Sequence, residues 1–284
     1  MPLAQLLTPA QLASRLGRPG LVILDCRFAL EDIAYGQRSY AEGHIAGAQF
    51  ADLERDLSGP IVKGVTGRHP LPEPAPLLER LRVWGVDNAS DIVLYDDGPG
   101  AFAARAWWLL AWLGKREGVY LLDGGLNAWR AAGLPLTSEP PTRASGNFQG
   151  QPDASLVLSA EQLQQRLSDP QLTLLDARGL PRFRGEVEPI DPIAGHIPGA
   201  RCATFTDNLG GDGRFLPAAQ LQQRFAALLA GKPQQELVAY CGSGVTACHN
   251  LFALSLAGYP LARLYAGSWS EWITDPARPI AQGD

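Results

Sequence analysis

The feature that most narrows the fold is that the chain carries the same unit twice. The apolar run Leu21-Val22-Ile23-Leu24-Asp25, followed by Cys26-Arg27, returns as Leu172-Thr173-Leu174-Leu175-Asp176, followed by Ala177-Arg178. Gly43-His44-Ile45 returns as Gly195-His196-Ile197, Tyr95-Asp96 as Tyr240-Cys241, and the Gly124 to Trp129 stretch as Gly267 to Trp272. The spacing between equivalent residues shrinks along the chain because the first copy has a longer connection, from Leu57 to Pro76, rich in Pro and Gly. Such self-similarity marks a duplicated structural unit. Within each copy, short apolar runs alternate with helical stretches, which predicts an α/β fold: two tandem domains, each a mainly parallel sheet flanked by helices. The expected boundaries are a first domain over residues 1–138, a linker over 139–153, and a second domain over 154–284. In the linker Pro140, Pro141, Gly146, Gly150 and Pro152 interrupt any periodicity. Thr8 followed by Pro9 predicts a capped helix start near the amino terminus.

The second copy holds the most reactive-looking stretch. Glu236 to Tyr240 is a short apolar run, Cys241-Gly242-Ser243-Gly244 is a tight loop, and Val245 to Leu256 has helical spacing. A cysteine is thereby placed at a strand's carboxyl end and just before a helix amino terminus. Unpaired backbone N–H groups converge on an anion in such a place. That favours a thiolate, so Cys241 is expected to be a nucleophile. Most free cysteines are instead small core residues, but those usually lack glycines on their carboxyl side. In open parallel sheets ligands bind beyond the strands' carboxyl ends, where this cysteine falls.

Composition excludes other classes. With 46% hydrophobic residues, 19% charged residues and a net charge of −5, the chain lacks the basic character of a general nucleic-acid binder. No apolar run is long enough to cross a bilayer, so no membrane partner is expected. The stretch Met1 to Leu7 has neither the basic start nor the apolar centre of an export signal. Cysteines at 26, 202, 241 and 248 make no disulfide framework and include no paired Cys-x-x-Cys ligands, so no metal is expected. Reduced thiols in the cytoplasm fit this usage.

The paired Asp25-x-Arg27 and Asp176-x-Arg178, the paired Gly43-His44-Ile45 and Gly195-His196-Ile197, and the loop Cys241-Gly242-Ser243-Gly244-Val245-Thr246-Ala247 together resemble the two-domain rhodanese family. The loop resembles that family's 3-mercaptopyruvate sulfurtransferase branch more than its thiosulfate branch, whose members often carry basic residues directly after the cysteine. The resemblance covers nearly the whole chain. It implies an enzyme without a cofactor that takes sulfur from a small-molecule donor onto Cys241 as a persulfide. The sulfur then passes to a thiol acceptor (a small thiol or a thioredoxin-like protein) or to cyanide. Gly242, Gly244, Val245 and Thr246 would cradle the persulfide through their amides. Arg182 matches the family's donor-binding arginine, with Arg184 a second candidate. The further arginine common in the mercaptopyruvate branch is here Ile190. Ser243, His69 and Glu54 match a proposed serine, histidine and acid relay, with Asp52 close to the acid position.

Other residues are expected to be structural. In place of the cysteine the first copy has Asp96, a poor sulfur nucleophile, so that domain is expected to be catalytically inactive and to form one wall of a cleft. His44 and His196 occur in both copies, one of which lacks the cysteine, so they are expected to anchor loops. The same holds for Asp25, Arg27, Asp176 and Arg178. Arg105, Trp107 and Trp108 are expected in interdomain packing, and Cys26, Cys202 and Cys248 in the core. Trp269 and Trp272 are expected to cap the core, with Trp269 a candidate for lining the cleft. A phosphatase built on such a loop needs Cys-x5-Arg, an arginine directly after five intervening residues, where Ala247 stands, and no Gly-Lys-Ser/Thr follows the glycines. Two alternatives to a mercaptopyruvate enzyme are left: thiosulfate as the donor, or a persulfide relay serving a partner enzyme.

Overall fold

The computed structural model describes residues 3–230 and 236–284, so Met1 and Pro2 of the amino-terminal stretch lie outside it. The strands are β1 (Gln5–Leu7), β2 (Leu21–Asp25), β3 (Ala48–Phe50), β4 (Asp91–Tyr95), β5 (Val119–Leu122), β6 (Leu172–Asp176), β7 (Arg201–Cys202), β8 (Glu236–Tyr240) and β9 (Arg263–Leu264). They form two sheets, in the orders β1-β5-β4-β2-β3 and β7-β6-β8-β9, and every pairing within them is parallel. The helices are α1 (Pro9–Ala13), α2 (Tyr35–Glu42), α3 (Pro74–Val83), α4 (Ala101–Trp112), α5 (Gly125–Ala131), α6 (Ala160–Gln165), α7 (Leu180–Arg184), α8 (Ala218–Leu228), α9 (Thr246–Leu256) and α10 (Ser268–Trp272). The expected pair of α/β domains is present. The edge strand β1 had no sequence signal, because three residues carry too little periodicity. Residues 138–153 contain no helix or strand.

The duplicated motifs build the same joint twice. The register sets Asp25 beside Tyr95 and Asp176 beside Tyr240. Arg27 Nη2 donates to Asp25 Oδ2 at 2.6 Å and to the Gly43 carbonyl at 2.8 Å; Arg178 does the same to Asp176 at 2.6 Å and Gly195 at 2.7 Å. All four side chains are buried. Each arginine therefore ties the end of a central strand to the turn preceding the paired histidine. Removing one partner of such a buried pair typically costs about 3–5 kcal/mol. His44 bonds the Tyr40 and Glu139 carbonyls, and His196 bonds the Phe183 carbonyl while stacking on that ring. Both histidines are structural, as their presence in both copies implied.

The domains meet through α4 and α9. Each helix is buried around almost its whole circumference, as a mainly apolar helix is when it is enclosed on all sides. They pack against each other, with Trp107 set edge-on to Phe252 at 5.0 Å, and one continuous apolar core runs from the first sheet to the second. His249 on α9 locks this joint. Its Nε2 lies 2.8 Å from the Pro99 carbonyl of the first domain, its Nδ1 lies 3.1 Å from Asn208 Nδ2, and Phe215 stacks on the ring. Asn208 Nδ2 is a donor, so Nδ1 accepts and Nε2–H donates to Pro99: the neutral imidazole satisfies both sides. Burial pushes its pKa down to about 3; the Pro99 bond opposes the shift and Arg224 assists it.

The unfolded chain takes a proton on His249 near pH 6.5 and the folded chain does not, so stability is lost as pH falls from about 6.5 toward 3. Urea unfolding at a series of pH values should show a slope that His249→Gln reduces by about 1.3 kcal/mol per pH unit near pH 5. Identical slopes for the two proteins would contradict a neutral His249.

Candidate active site

β8, an interior strand of the second sheet, ends at Tyr240, and Cys241 follows immediately. The loop from Cys241 to Val245 is held by its carbonyls. Trp269 N–H donates to the Cys241 carbonyl and Ser270 N–H to the Gly242 carbonyl, both at 2.9 Å, from the first turn of α10. Arg105 Nη1 donates to the Gly244 carbonyl at 3.1 Å. With these carbonyls fixed, the amides face the other way. Gly244 N–H donates to Cys241 Sγ at 3.1 Å, and the N–H groups of Gly242, Ser243, Val245 and Thr246 have no acceptor among the described residues. Gly244 has φ of +77°, and a Cβ there would lie 2.4 Å from the Ala266 carbonyl oxygen, so this position requires glycine. Ser268, which accepts the Cys241 N–H at 3.1 Å, is held at φ +57°, unusual for a residue with a side chain.

Cys241 is 1% exposed, yet it borders a cavity of about 300 Å³ between the domains. The second domain supplies the loop and Arg182; the first supplies Arg68, His69 and Phe102. Beneath the loop, Arg105 of α4 is fully buried and forms no ion pair among the described residues; its guanidinium is spent on the carbonyls of Gly244, Leu57, His69 and Pro70. Burial pulls its pKa down, while Cys248 and Cys241 oppose the shift. Arg105 is thus an interdomain packing residue that also pins two parts of the site. The Cys248 thiol bonds the Gly244 carbonyl at 3.2 Å and is pushed up to about 12 by burial, which keeps it an inert core group.

His69 Nδ1 lies 2.8 Å from Ser243 Oγ. Burial, with repulsion from Arg105 and Arg68, pushes its pKa down to about 3, so the imidazole is neutral at ordinary pH. The expected acid is not there. Glu54 is exposed on a turn where its own N–H donates to Asp52 Oδ1, and no hydrogen bond joins it to His69. The buried carboxylate nearby, Asp56, faces Arg80 at 3.0 Å and accepts the Asp52 N–H. Carboxylates in this segment are consumed by their own turn, and a histidine held neutral needs no anion to balance it.

Arg182 projects from α7 to the cavity. Its Nη2 lies 2.7 Å from Glu188 Oε1 and 3.1 Å from Asp191 Oδ2, and its Nε donates to Glu188 Oε2 at 3.1 Å. Arg184, two residues on, points elsewhere because neighbours at that spacing do not share a helix face. It pairs with Asp284 at 2.6 Å on the surface, so the structure does not bring it to the site. Trp269 does not line the cavity either: it is fully buried under Arg178, whose guanidinium lies 4.7 Å from its ring. Arg68 was missed. It bonds Asp191 from the far side, and a Cβ on Gly242 would lie 2.8 Å from its Nη2 and 3.6 Å from Arg182 Nη2. One signal was available: Arg68 adjoins His69 in a connection that the second copy lacks.

The first domain shows what the cradle does to an anion. Asp96 stands where the second domain has Cys241, and its carboxylate accepts four main-chain N–H groups: Gly98 at 3.0 Å, Gly100 at 2.9 Å, Phe102 at 3.0 Å and Ala103 at 3.3 Å. Burial raises its pKa and the four amides pull it back. The same strand–loop–helix turn thus satisfies itself in one copy and keeps its amides open beside a sulfur in the other.

The model of the rhodanese-like domain matches residues 8–132 and 159–275. The chain is 73% identical over 281 residues to a probable 3-mercaptopyruvate sulfurtransferase of Pseudomonas aeruginosa, covering 99% of each. It is 36% identical over 285 residues to the human 3-mercaptopyruvate sulfurtransferase, covering 97% of this chain and 92% of that one. Among solved structures, the 3-mercaptopyruvate sulfurtransferase from Leishmania major superposes with a TM-score of 0.82 at 32% identity, covering 96% of this chain and 75% of that one.

Asp96→Ala leaves four N–H groups facing an empty space at the start of α4. It should cost about 3 kcal/mol or more, read as a lower urea midpoint. A loss below about 0.5 kcal/mol, the usual scatter of surface changes, would show that the cradle needs no anion.

Proposed function

The chain belongs to the rhodanese family and is a sulfurtransferase of two rhodanese-like domains, and we propose that it moves sulfur from 3-mercaptopyruvate to a thiol or cyanide through a persulfide on Cys241. The observation that carries this is the Gly244 N–H donating to Cys241 Sγ in a loop whose other N–H groups have no acceptor among the described residues, beside a cavity that also presents Arg182 and the Ser243–His69 pair.

The Arg182 guanidinium binds the donor carboxylate and sets the donor thiol over Cys241. The Cys241 thiolate attacks that sulfur, an S–S bond forms, and the C–S bond breaks with its electron pair going to carbon as the enolate of pyruvate. The proton that was on the donor thiol ends on that carbon, and the Ser243–His69 pair is placed to carry it, since a neutral imidazole can accept and return a proton. The terminal sulfur is left as an anion held by the amides of Gly242, Gly244, Val245 and Thr246. An acceptor thiolate or cyanide then attacks the terminal sulfur, and its departure restores Cys241 as thiolate. Acceptors on this scheme are small thiols or a thioredoxin-like protein. The first domain performs no transfer of its own and supplies a wall of the cleft. Four free cysteines fit the cytoplasm.

Mixing the protein with 3-mercaptopyruvate and no acceptor should add one sulfur atom to the peptide containing Cys241, seen by mass spectrometry, with one pyruvate released. Cys241→Ser should retain less than about 1% of transfer from any donor; substantial residual turnover would remove the assignment. His69→Gln should slow transfer from mercaptopyruvate by about ten-fold or more and spare transfer from thiosulfate, whose leaving sulfite needs no proton. Equal slowing with both donors would assign His69 to loop positioning instead. A higher kcat/KM for thiosulfate than for mercaptopyruvate would reverse the choice of donor.

A further inference from the structure

We propose that Arg105, a fully buried guanidinium with no carboxylate paired to it among the described residues, is the counter-charge for the Cys241 anion, so that the first domain supplies the field beneath the second domain's nucleophile. This rests on Cys241 being the nucleophile, as above, and adds which group keeps its sulfur charged. Arg105 touches neither donor nor acceptor; it is a positioning residue that acts through the loop.

A buried charge without a partner is costly. The hydrogen-bond acceptors of Arg105, the carbonyls of Leu57, His69, Pro70 and Gly244, are all neutral. They solvate the guanidinium without cancelling its charge, and a guanidinium stays protonated inside a protein. Asp96, just before the same helix, is occupied by four amides of its own turn. The groups whose negative charge Arg105 feels are the thiols of Cys248 and Cys241. Cys248 is sealed in the core, and burial pushes its thiol up to about 12. Cys241 borders the cavity and accepts an amide hydrogen bond. The anion that balances Arg105 is therefore carried by Cys241.

Gly244 joins the two. Arg105 Nη1 donates to its carbonyl at 3.1 Å, and its N–H donates to Cys241 Sγ at 3.1 Å. Guanidinium and sulfur thus lie within about 10 Å of each other across one residue. At that range in a protein interior, a unit charge moves a titration by about one pH unit. The other charges around the loop are already matched. The first domain's long connection brings Arg68, which bonds Asp191, and His69, held neutral with its pKa pushed down to about 3 by burial and by repulsion from Arg105 and Arg68. α7 brings Arg182, paired with Glu188 and Asp191, and the end of β6 brings Arg178, paired with Asp176. α10 brings Glu271, whose charge Arg278 offsets.

Iodoacetamide reads the charge state of Cys241 without any sulfur donor. The thiolate displaces iodide, a C–S bond forming as the C–I bond breaks, and the thiol does not react. The pH at which alkylation is half-maximal should rise by about one unit in Arg105→Met and by less than about half a unit in Arg105→Lys, which keeps a charge in the same place. An unchanged midpoint in Arg105→Met, or the same rise in both variants, would overturn the proposal, the second by showing that lost packing is the cause. Salt gives a further test on the unaltered protein, should the Met variant fail to fold. Raising KCl from about 0.05 to about 1 M screens exposed charges far more than buried ones, so the midpoint should move by less than about 0.3 unit. A rise of about one unit would assign the field to the more exposed Arg68 and Arg182 and overturn the proposal. If iodoacetamide modifies another cysteine in place of Cys241, the nucleophile assignment above falls; a reactive Cys241 whose midpoint ignores Arg105 removes the present proposal alone.

Discussion

Three hydrogen bonds to carbonyl oxygens organise this molecule's chemistry. Two come from the first turn of α10, to Cys241 and Gly242, and one from Arg105, to Gly244. A peptide plane cannot turn its carbonyl outward without turning its N–H inward. Fixing these oxygens therefore turns the N–H groups of Gly242, Ser243 and Val245 away from the contacts that hold the loop, before any substrate arrives. The cost of arranging dipoles is met during folding, by contacts remote from the reacting atoms.

Two of those three bonds come from within the second domain and one from the first. That division makes the Cys241 loop depend on both copies of the duplicated fold. The first domain fills its own cradle with Asp96, then contributes Arg105 from α4 and the segment bearing Arg68 and His69. The shared core between α4 and α9 makes these contributions rigid, and His249, neutral and bonded across the joint, resists separation of the halves. The longer connection of the first copy, which broke the regularity of the repeat, is the piece of chain that reaches into the second copy's site.

Much of this was legible in the residues. Apolar runs bounded by loop residues located β2, β6 and β8, the repeat matched the end of β4 at Tyr95 to Tyr240, and repetition of the Asp-x-Arg and Gly-His-Ile motifs separated scaffold from chemistry. That no acid pairs with His69 among the described residues was not legible, because Glu54 and the neighbouring Asp52 read alike in a string, and only the fold leaves Glu54 exposed and spends Asp52 on the N–H groups of its own turn. Arg184 stood as a second candidate behind Arg182 until the single turn of α7 put them on different sides. Arg68 carried no motif of its own; its importance comes from meeting Asp191 and Gly242, more than a hundred residues away in sequence.

By itself the sequence determined the duplicated α/β architecture, the strand–loop–helix turn around Cys241 and the choice of Cys241 as the proposed nucleophile. Each of these follows from local periodicity, from glycine's conformational freedom and from the reactivity of one side chain. Only the tertiary structure decided which charges share the cleft, which carboxylates are already spent and which domain supplies each half of the site. Coulomb interactions and hydrogen bonds depend on distance in space, and distance in space between remote segments is set by the packing of α4 on α9, which no local pattern encodes.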